Sequence, residues 1–296
     1  MKSQKSAESG GGKLYLVGTP IGNLEDMTFR AIRVLQEVDR IAAEDTRNTI
    51  RLCNHFDIKT SLMSYHEHNT ESGGEKILAL LKEGKSVAIV SDAGMPCISD
   101  PGADIVSKAL EAGFAVVPIP GANAAISALV ASGLIPQPFL FYGFLPRHKK
   151  DRKLQLDQLK RREETIILYE APHRLKETLQ AMRDELGAER KVVLARELTK
   201  RFEEFLRGTL EEAIQWAMAH EIRGEFCIVL EGNENGIEEE EQEAWWTGLT
   251  IKGHVDELIE KEGIRSKEAI RQVANERGMN RREVYKVFHI DEENPG

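Results

Sequence analysis

The sequence of 296 residues has little cysteine and no long apolar segment. Its three cysteines, Cys53, Cys97 and Cys227, lie far apart and form no C-x-x-C pair. This spacing argues against a disulfide framework or a zinc site and fits a reducing cytoplasm. No apolar run approaches the ~20 residues that span a bilayer. Residues 1–12 are rich in Ser, Gly and Lys without an apolar core, so we expect a disordered leader rather than a signal peptide or an anchor.

The chain also lacks an excess of positive charge. Its 49 Asp and Glu residues outnumber its 40 Lys and Arg residues, and the formal net charge is -9. This balance disfavours a protein that coats nucleic acid over its whole surface. It leaves room for a local basic face, because binding depends on where the positive charges lie.

Three apolar, strand-like runs each end in a turn of glycine, proline and small residues. The turns occupy residues 18–22, 92–96 and 120–123, and each leads into a helix-like pattern. Small residues let the backbone approach a ligand closely, and open α/β sheets bind ligands at the carboxyl ends of their parallel strands. The turns contain neither the G-x-G-x-x-G dinucleotide pattern nor a P-loop lysine. They favour a cleft enzyme and disfavour NAD or ATP as its ligand.

The order of the elements predicts an α/β protein with two domains and a small helical tail. Residues 13–136 alternate strand and helix, which indicates a mostly parallel sheet covered on both faces. Residues 137–232 alternate less regularly and predict a mixed second sheet. Residues 233–248 are rich in glutamate and are expected to form a solvated linker. Residues 249–296 contain three short helical patterns, which form either a helix-turn-helix or a helical packing module without a ligand.

Six motifs, in order along the chain, carry a resemblance to a known family. They occupy residues 16–26, 43–47, 64–69, 91–102, 169–174 and 224–230. Together they resemble the ribosomal RNA small subunit methyltransferase I family, which has the tetrapyrrole-methylase (class III) fold of S-adenosylmethionine enzymes. The resemblance covers residues 13–232, and a similar helical tail follows them.

The resemblance implies a homodimer in which each protomer holds S-adenosylmethionine, folded, in the cleft between its two α/β domains. The implied reaction methylates the ribose 2′-hydroxyl of a cytidine in the decoding region of 16S ribosomal RNA, on the small ribosomal subunit. Small-molecule tetrapyrrole methylases tend to carry an aspartate where this chain has Met95, which favours the RNA-methylating branch. A tetrapyrrole methyltransferase and a noncatalytic RNA-binding protein on the same scaffold remain as alternatives.

The resemblance also implies a set of cofactor contacts in the three turns and on the strands of the second domain. Helix capping is the simpler alternative for Asp92, Asp100 and Asn123, because Asp and Asn are preferred at helix starts. Core packing is the alternative for the strand residues. The implied contacts are Gly18, Thr19, Pro20, Ile21, Asp92, Ala93, Gly94, Met95, Ile98, Gly121, Ala122, Asn123, Leu168, Tyr169, Ala195 and Phe226.

No general base stands out in the sequence. Glu44, Asp45 and Asp100 are candidates because each follows a predicted strand. Arg174 is a candidate for orienting RNA or gripping a phosphate. An ion pair with Glu170 at the start of a helix is the alternative role for Arg174.

A metal site is not expected. His66 and His68 share one face of an extended segment, but no third ligand is near them in the sequence. Methyl transfer from a sulfonium needs no metal. The two histidines are therefore assigned to a polar loop at the edge of the cleft or to a plain solvated loop.

A basic run follows an aromatic strand in this acidic chain. Such a run is usually a solvated helix face, but its position after that strand leads us to predict binding of RNA phosphates. The tail could offer a second basic face through Arg271, Arg277, Arg281 and Arg282. The densest group of the basic run is Arg147, Lys149, Lys150, Arg152 and Lys153.

Overall fold

A computed structural model describes residues 3–5, 11–233, 246 and 248–290 of the protein, with Ile290 described by its backbone alone. The chain divides into two compact units, Met1–Glu234 and Asn235–Gly296. Both α/β regions lie in the first unit and the helical tail lies in the second. Most of the predicted leader and of the predicted glutamate-rich linker lies outside the described residues. Within the described ranges, no helix is long and apolar enough to cross a membrane.

Five parallel strands form the first sheet: β1 (Lys13–Val17), β2 (Arg40–Ala43), β3 (Leu62–Ser64), β4 (Val87–Val90) and β5 (Ala115–Ile119). Their order across the sheet is β3-β2-β4-β1-β5. Strand β4 is buried along its whole length, as its run of Val, Ala and Ile requires. The order brings the carboxyl ends of β4, β1 and β5 side by side, and the three turns with them. The predicted parallel sheet is confirmed.

Four helices cover the two faces of this sheet: α1 (Phe29–Glu37), α2 (Thr46–His55), α3 (Thr70–Lys82) and α4 (Ala103–Glu111). Helices α1 and α2 contribute Val34, Leu35 and Cys53 to the core on one face. Helices α3 and α4 contribute Ile77 and Ile105 to the core on the other face. These two apolar layers hold the sheet in place and leave its carboxyl edge to the turns.

The second sheet is mixed, as predicted. It contains β6 (Phe139–Phe144), β7 (Thr165–Glu170), β8 (Lys191–Arg196), β9 (Glu204–Thr209) and β10 (Phe226–Leu230). The order is β6-β7-β10-β8-β9, in which only the pair β6 and β7 is parallel. Strand β10 lies in the centre and every one of its residues is buried.

Helices cover both faces of the second sheet. They are α5 (Ala124–Ser132), α6 (Lys149–Lys160), α7 (Leu175–Leu186) and α8 (Leu210–Ala219). Leucines of α6 and α7 pack with α8 on one face. On the other face, Ala128 and Leu129 of α5 pack against Ile167 and Val229. By its packing α5 belongs with the second sheet, although the boundary predicted at residue 136 places it with the first.

The second unit contains three helices, α9 (Ile251–Glu262), α10 (Ser266–Glu276) and α11 (Arg281–Ile290). Their apolar faces meet in a small core that includes Val255, Ile270, Val273, Val284 and Phe288. Residues 277–280 form the turn between α10 and α11. The three helices predicted for the tail are confirmed.

Candidate active site

The three turns predicted from the sequence lie against one another at the carboxyl ends of β1, β4 and β5. The amide of Thr19 donates to the carbonyl of Gly94 at 2.9 Å, and the amide of Gly94 donates back to the carbonyl of Thr19 at 3.1 Å. A Cβ on Gly121 would lie 2.8 Å from the Cα of Gly18. These two glycines therefore allow the first and third turns to touch backbone to backbone.

A cavity of about 410 Å³ opens beside these turns and is closed on its other side by the second sheet. Its volume lies in the range of about 300–1,000 Å³ that is usual for small-molecule sites. Strands β6, β7, β8 and β10 each contribute lining residues. Ten of the predicted cofactor contacts line it: Ile21, Asp92, Ala93, Gly94, Met95, Ile98, Asn123, Tyr169, Ala195 and Phe226.

Six predicted contacts lie outside this cavity. Thr19 and Pro20 line a neighbouring cavity of about 230 Å³. The side chain of Leu168 belongs to the core beneath α6 and α7, on the opposite face of β7 from Tyr169, because successive residues of a strand alternate faces. The Leu168 side chain is therefore a core side chain, which matches the core-packing alternative for this strand residue. Gly18, Gly121 and Ala122 line neither cavity.

The loop between β4 and α4 forms one wall of the cavity. Cys97 and Ser99 have left-handed φ angles of 71° and 61°, a conformation that costs a non-glycine residue about 1–3 kcal/mol and that is concentrated at functional sites. Helix α4 begins after Gly102, which takes the N-cap position with a φ of 135°, so Asp100 does not cap it. The loop instead holds Asp100 in the cavity wall.

Asn123 both lines the cavity and caps a helix. Its Oδ1 accepts a hydrogen bond from the amide of Ile126 at 2.9 Å, which fixes the start of α5. The capping role that the sequence left open for Asn123 is therefore confirmed. Asn123 also lines the cavity, so it can contact a ligand there while it caps the helix.

Three of the six acidic residues that line the cavity follow strands of the first sheet: Glu44 after β2, and Asp92 and Asp100 after β4. The amide of Asp92 lies 3.4 Å from Oε2 of Glu44, and the Asn48 side chain donates to Oδ2 of Asp92 at 3.1 Å. Burial, together with the negative charge of Glu44, raises the pKa of Asp100 to about 6. Burial also raises the pKa of Glu44. A buried carboxyl group with a raised pKa in a cleft is a candidate general base.

The sequence has close relatives of known type. Residues 13–214 match the family described as Tetrapyrrole (Corrin/Porphyrin) Methylases. The chain is 60% identical over 279 residues to the protein "Ribosomal RNA small subunit methyltransferase I" of Bacillus subtilis (strain 168), with 94% of each chain covered. The protein of the same name from Halalkalibacterium halodurans is 56% identical over 98% of this chain and 99% of its own. The chain belongs to the ribosomal RNA small subunit methyltransferase I family.

Solved structures support the same fold for this methyltransferase. A cobalt precorrin-4 methyltransferase aligns with a TM-score of 0.56 at 20% identity, over 74% of this chain and 94% of its own. A uroporphyrin-III C-methyl transferase from Thermus thermophilus, complexed with S-adenyl homocysteine, aligns with a TM-score of 0.54 at 20% identity, over 74% and 97%. At these identities the likeness shows the fold alone. The predicted tetrapyrrole-methylase fold is confirmed.

Two predicted residues of this methyltransferase lie away from the cavity. Asp45 caps α2 and pairs with the Arg47 guanidinium at 2.7 Å, and this pairing lowers the pKa of Asp45 to about 2. The Nε of Arg174 lies 3.5 Å from Glu170, and its Nη2 donates to the carbonyl of Leu145 at 2.9 Å. Asp45 therefore stabilises a helix start, and the partners of Arg174 match the ion pair with Glu170 that the sequence left open as its alternative role.

Several cavity residues were missed by the sequence analysis because folding brings them in from separate loops. Phe144 ends the aromatic strand β6 and could have been found, since strand ends face the site. Lys200 shows no such signal: its Nζ pairs with Glu197 at 3.0 Å and with Glu225 at 3.2 Å, across two loops. The two carboxylates offset the positive charge of Lys200, so the net charge of the cavity wall remains negative.

The lining fits S-adenosylmethionine, which carries a positive sulfonium and a positive ammonium group. The negative wall suits these charges, and Ile21, Met95 and Ala195 supply apolar surface for the adenosine part. Burial raises the pKa of Tyr169 to about 12, so its hydroxyl is neutral near pH 7. That hydroxyl accepts a hydrogen bond from the amide of Ala125 at 3.2 Å, which fixes the ring in the wall.

The basic run on α6 divides into exposed and internal residues. Arg152 is only 1% exposed, because it shares the inner face of α6 with Leu156 and Leu159, and it pairs with Glu177. It is therefore not a surface contact for RNA, which corrects its assignment. Lys153 is exposed but lies 3.2 Å from Glu185. The remaining exposed cations of the densest group are Arg147, Lys149 and Lys150.

The two histidines of the polar loop pack against each other. The rings of His66 and His68 have centroids 6.0 Å apart, and the amide of His66 donates to Oδ1 of Asn69 at 2.8 Å. These contacts order the short turn before α3. Over the part of the chain that the structure describes, no group of three or more His, Cys, Asp or Glu residues could hold a metal ion.

Proposed function

We propose that this chain transfers the methyl group of S-adenosylmethionine to the ribose 2′-oxygen of a cytidine in the decoding region of 16S ribosomal RNA, on the small ribosomal subunit. The observation that carries the proposal is the 60% identity to a protein named ribosomal RNA small subunit methyltransferase I, which extends over 94% of both chains. The cavity supports it by offering a negative wall to a cationic cofactor. The protein would act in the cytoplasm and as a homodimer.

The turns would hold and orient the cofactor. Asp92, Gly94 and Met95 would hold it from one side, and Tyr169 and Ala195 from the other. When bound, S-adenosylmethionine supplies a methyl group that is open to attack by a nucleophile. A ribose hydroxyl is a weak nucleophile, so its alignment in the closed cleft carries much of the acceleration, up to about 7–11 kcal/mol for a well-oriented encounter.

Asp100 is the proposed general base. Its carboxylate lines the cavity, and a pKa of about 6 leaves it mostly ionised near pH 7 yet more basic than an ordinary aspartate. As the ribose oxygen attacks, Asp100 would take the hydroxyl proton, while Glu44 beside it keeps the carboxylate basic through like charge. Tyr169 cannot take this role, because its hydroxyl is neutral and bonded to the backbone.

Two other functions use the same scaffold. A tetrapyrrole methyltransferase fits the fold, but Met95 stands in the second turn where small-molecule relatives tend to carry an aspartate. A noncatalytic RNA-binding protein would have no use for a buried carboxylate of raised pKa in the cavity wall. The molecule that receives the methyl group, if any does, therefore distinguishes these three functions.

Methyl transfer to the small subunit tests the proposed function. The enzyme is incubated with S-adenosylmethionine labelled on its methyl group and with small subunits from a strain that lacks the modification. We expect label in 16S ribosomal RNA, and none when the subunits come instead from the parent strain, whose site is already methylated. Binding of the cofactor without any transfer would support the noncatalytic alternative and refute the proposal.

The exposed cations at the start of α6 are the proposed RNA surface of the first unit. Arg147 follows the cavity residue Phe144 by three positions, so RNA bound there would lie near the mouth of the cavity. Neither Lys149 nor Lys150 has an ion pair among the residues that the structure describes. Concentrated positive charge of this kind can bind phosphates although the net charge of the chain is -9.

Charge reversal of Arg147, Lys149 and Lys150 to Glu should weaken binding of the small subunit. Each lost phosphate contact lowers the salt dependence of log K by roughly 0.7–0.9, so the slope should fall by about 2 to 3. The matched control reverses Lys160, Arg161 and Arg162, which carry the same charge at the other end of α6, about 16–20 Å away. Equal weakening by both triple variants, measured as Kd against salt, would contradict a surface confined to the start of α6.

A further inference from the structure

The second unit separates its charges between its helices. Residues 265–290 contain seven Lys and Arg against three Asp and Glu, whereas α9 contains four acids and two lysines. The chain as a whole has a net charge of -9, so this basic segment departs from the character of the rest. A segment of one sign on an oppositely charged protein marks a candidate surface for a polyanion.

The cations of this segment are exposed. Lys267 and Arg271 lie four residues apart on α10, and Arg282 and Lys286 lie four residues apart on α11. Residues at this spacing are neighbours on a helix surface, with Cβ atoms about 5–6 Å apart. The structure gives none of the four an ion pair with another described residue. Each guanidinium or ammonium group is thus available to an outside partner.

An aromatic side chain lies beside the cations of α11. Tyr285 is 55% exposed, and its ring centroid lies 4.3 Å from that of His289, one turn further along the helix. The inner face of the helix is set by Val284 and Phe288, which are buried in the core of the unit. Cations interleaved with an exposed aromatic ring can contact phosphates through the charges and a ribose or base through the ring.

The turn between α10 and α11 is held from inside the unit by Arg277. Its Nη2 donates to the carbonyl of Leu249 at 2.6 Å, and its guanidinium lies 4.8 Å from the centroid of the Trp246 ring. Its Nε donates to Nδ1 of the buried His254 at 3.1 Å. Arg277 therefore ties this turn to α9 and to the residues before it, and it is not part of the basic face predicted for the tail.

We propose that the second unit is an RNA-docking module whose α11 and outer face of α10 bind the phosphate backbone of the RNA substrate through Lys267, Arg271, Arg282 and Lys286. The choice of RNA over DNA rests on the proposed function of the first unit. A helix-turn-helix with an exposed basic second helix can also bind duplex DNA, so DNA is the partner against which the assignment is tested.

The test compares two double charge reversals in the full-length chain. Arg282→Glu with Lys286→Glu removes the proposed contacts on α11, and Lys76→Glu with Lys82→Glu makes the same change of net charge on exposed residues of α3. We expect the α11 variant to raise the Kd for small subunits on the order of tenfold at low salt and to lower the salt slope by about 1.4–1.8, since each phosphate contact contributes about 0.7–0.9. The α3 variant should bind as the unmodified chain does, and circular dichroism should show both variants folded.

The readouts separate this inference from the proposed function. For the α11 variant, the KM for small subunits should rise while kcat and the affinity for S-adenosylmethionine stay unchanged. Duplex RNA should displace the unmodified chain from subunits better than duplex DNA of the same sequence. Equal Kd values for the two double variants, or displacement by DNA as good as by RNA, would overturn the docking assignment. A lack of methyl transfer by the unmodified chain would refute only the proposed function, because the Kd values for small subunits can be measured and compared without any methyl transfer.

Discussion

Replacement of Asp100 by Asn should lower kcat for methyl transfer by about 10²–10⁴-fold, the usual contribution of a general base. The amide keeps the size of the side chain and one acceptor oxygen but cannot accept the proton of the ribose hydroxyl. The affinity for S-adenosylmethionine should change little in comparison, because the turns that hold the cofactor are intact. Steady-state kinetics with saturating small subunits, together with calorimetry for the cofactor, measures both quantities.

The pH dependence gives a second readout of Asp100. A base acts in its deprotonated form, so kcat/KM should be constant well above pH 6 and should fall as the pH drops through the pKa of about 6. The Asp100→Asn variant should lack this step. Asp45→Asn is the matched control, because Asn preserves a helix cap and Asp45 lies outside the cavity. A loss of activity in Asp100→Asn no greater than that in Asp45→Asn, or a low-pH step that persists in Asp100→Asn, would show that Asp100 is not the base.

Replacement of Gly94 by Val should weaken binding of S-adenosylmethionine more than tenfold. Gly94 has a φ of 80°, which a β-branched residue adopts only with strain, and an added Cβ would meet Cγ2 of Ile21 at 3.4 Å. Both residues line the cavity, and Gly94 also forms the bridge to Thr19. A change here therefore moves the first two turns together. Calorimetric titration with the cofactor measures the loss.

Gly113→Val separates the effect on the site from the effect on stability. Gly113 has a φ of 84°, nearly that of Gly94, but nothing lies within 4 Å of an added Cβ, and it occupies the turn between α4 and β5. Both variants should lose stability, on the order of 1–3 kcal/mol, through the left-handed backbone. Only Gly94→Val should lose affinity. Unchanged affinity for S-adenosylmethionine in a folded Gly94→Val variant would show that the second turn does not contact the cofactor.

The sequence predicted the strands and the turns well because their signals are local. All five strands of the first sheet lie within residues 13–136, where alternating strands and helices were predicted, since short apolar runs between helical patterns define them. The ten predicted cofactor contacts that line one cavity were identified from the family motifs rather than from periodicity. The pairing of α5 with the second sheet had no such signal, because its nonpolar sequence fits either sheet.

The interpretations of Arg152 and Leu168 could have been improved by applying the helix and strand periodicities. Arg152 precedes Leu156 by four residues and Leu159 by seven, a spacing that places all three on one face of a helix. Leu168 and Tyr169 are adjacent in a strand and must face opposite sides. The left-handed backbone at Ser99 could not have been predicted, because a serine carries no sign of a conformation that its surroundings impose.

The position of the transferred methyl group shows which atom of the RNA attacks the cofactor. Small subunits methylated by the enzyme are digested with nuclease, and the resulting nucleosides are separated and identified by mass spectrometry. We expect a cytidine that carries the new methyl group on its ribose, at a single site in the decoding region. A methyl group on a base, with the ribose unmodified, would contradict the proposed attack by the 2′-oxygen and the role given to Asp100.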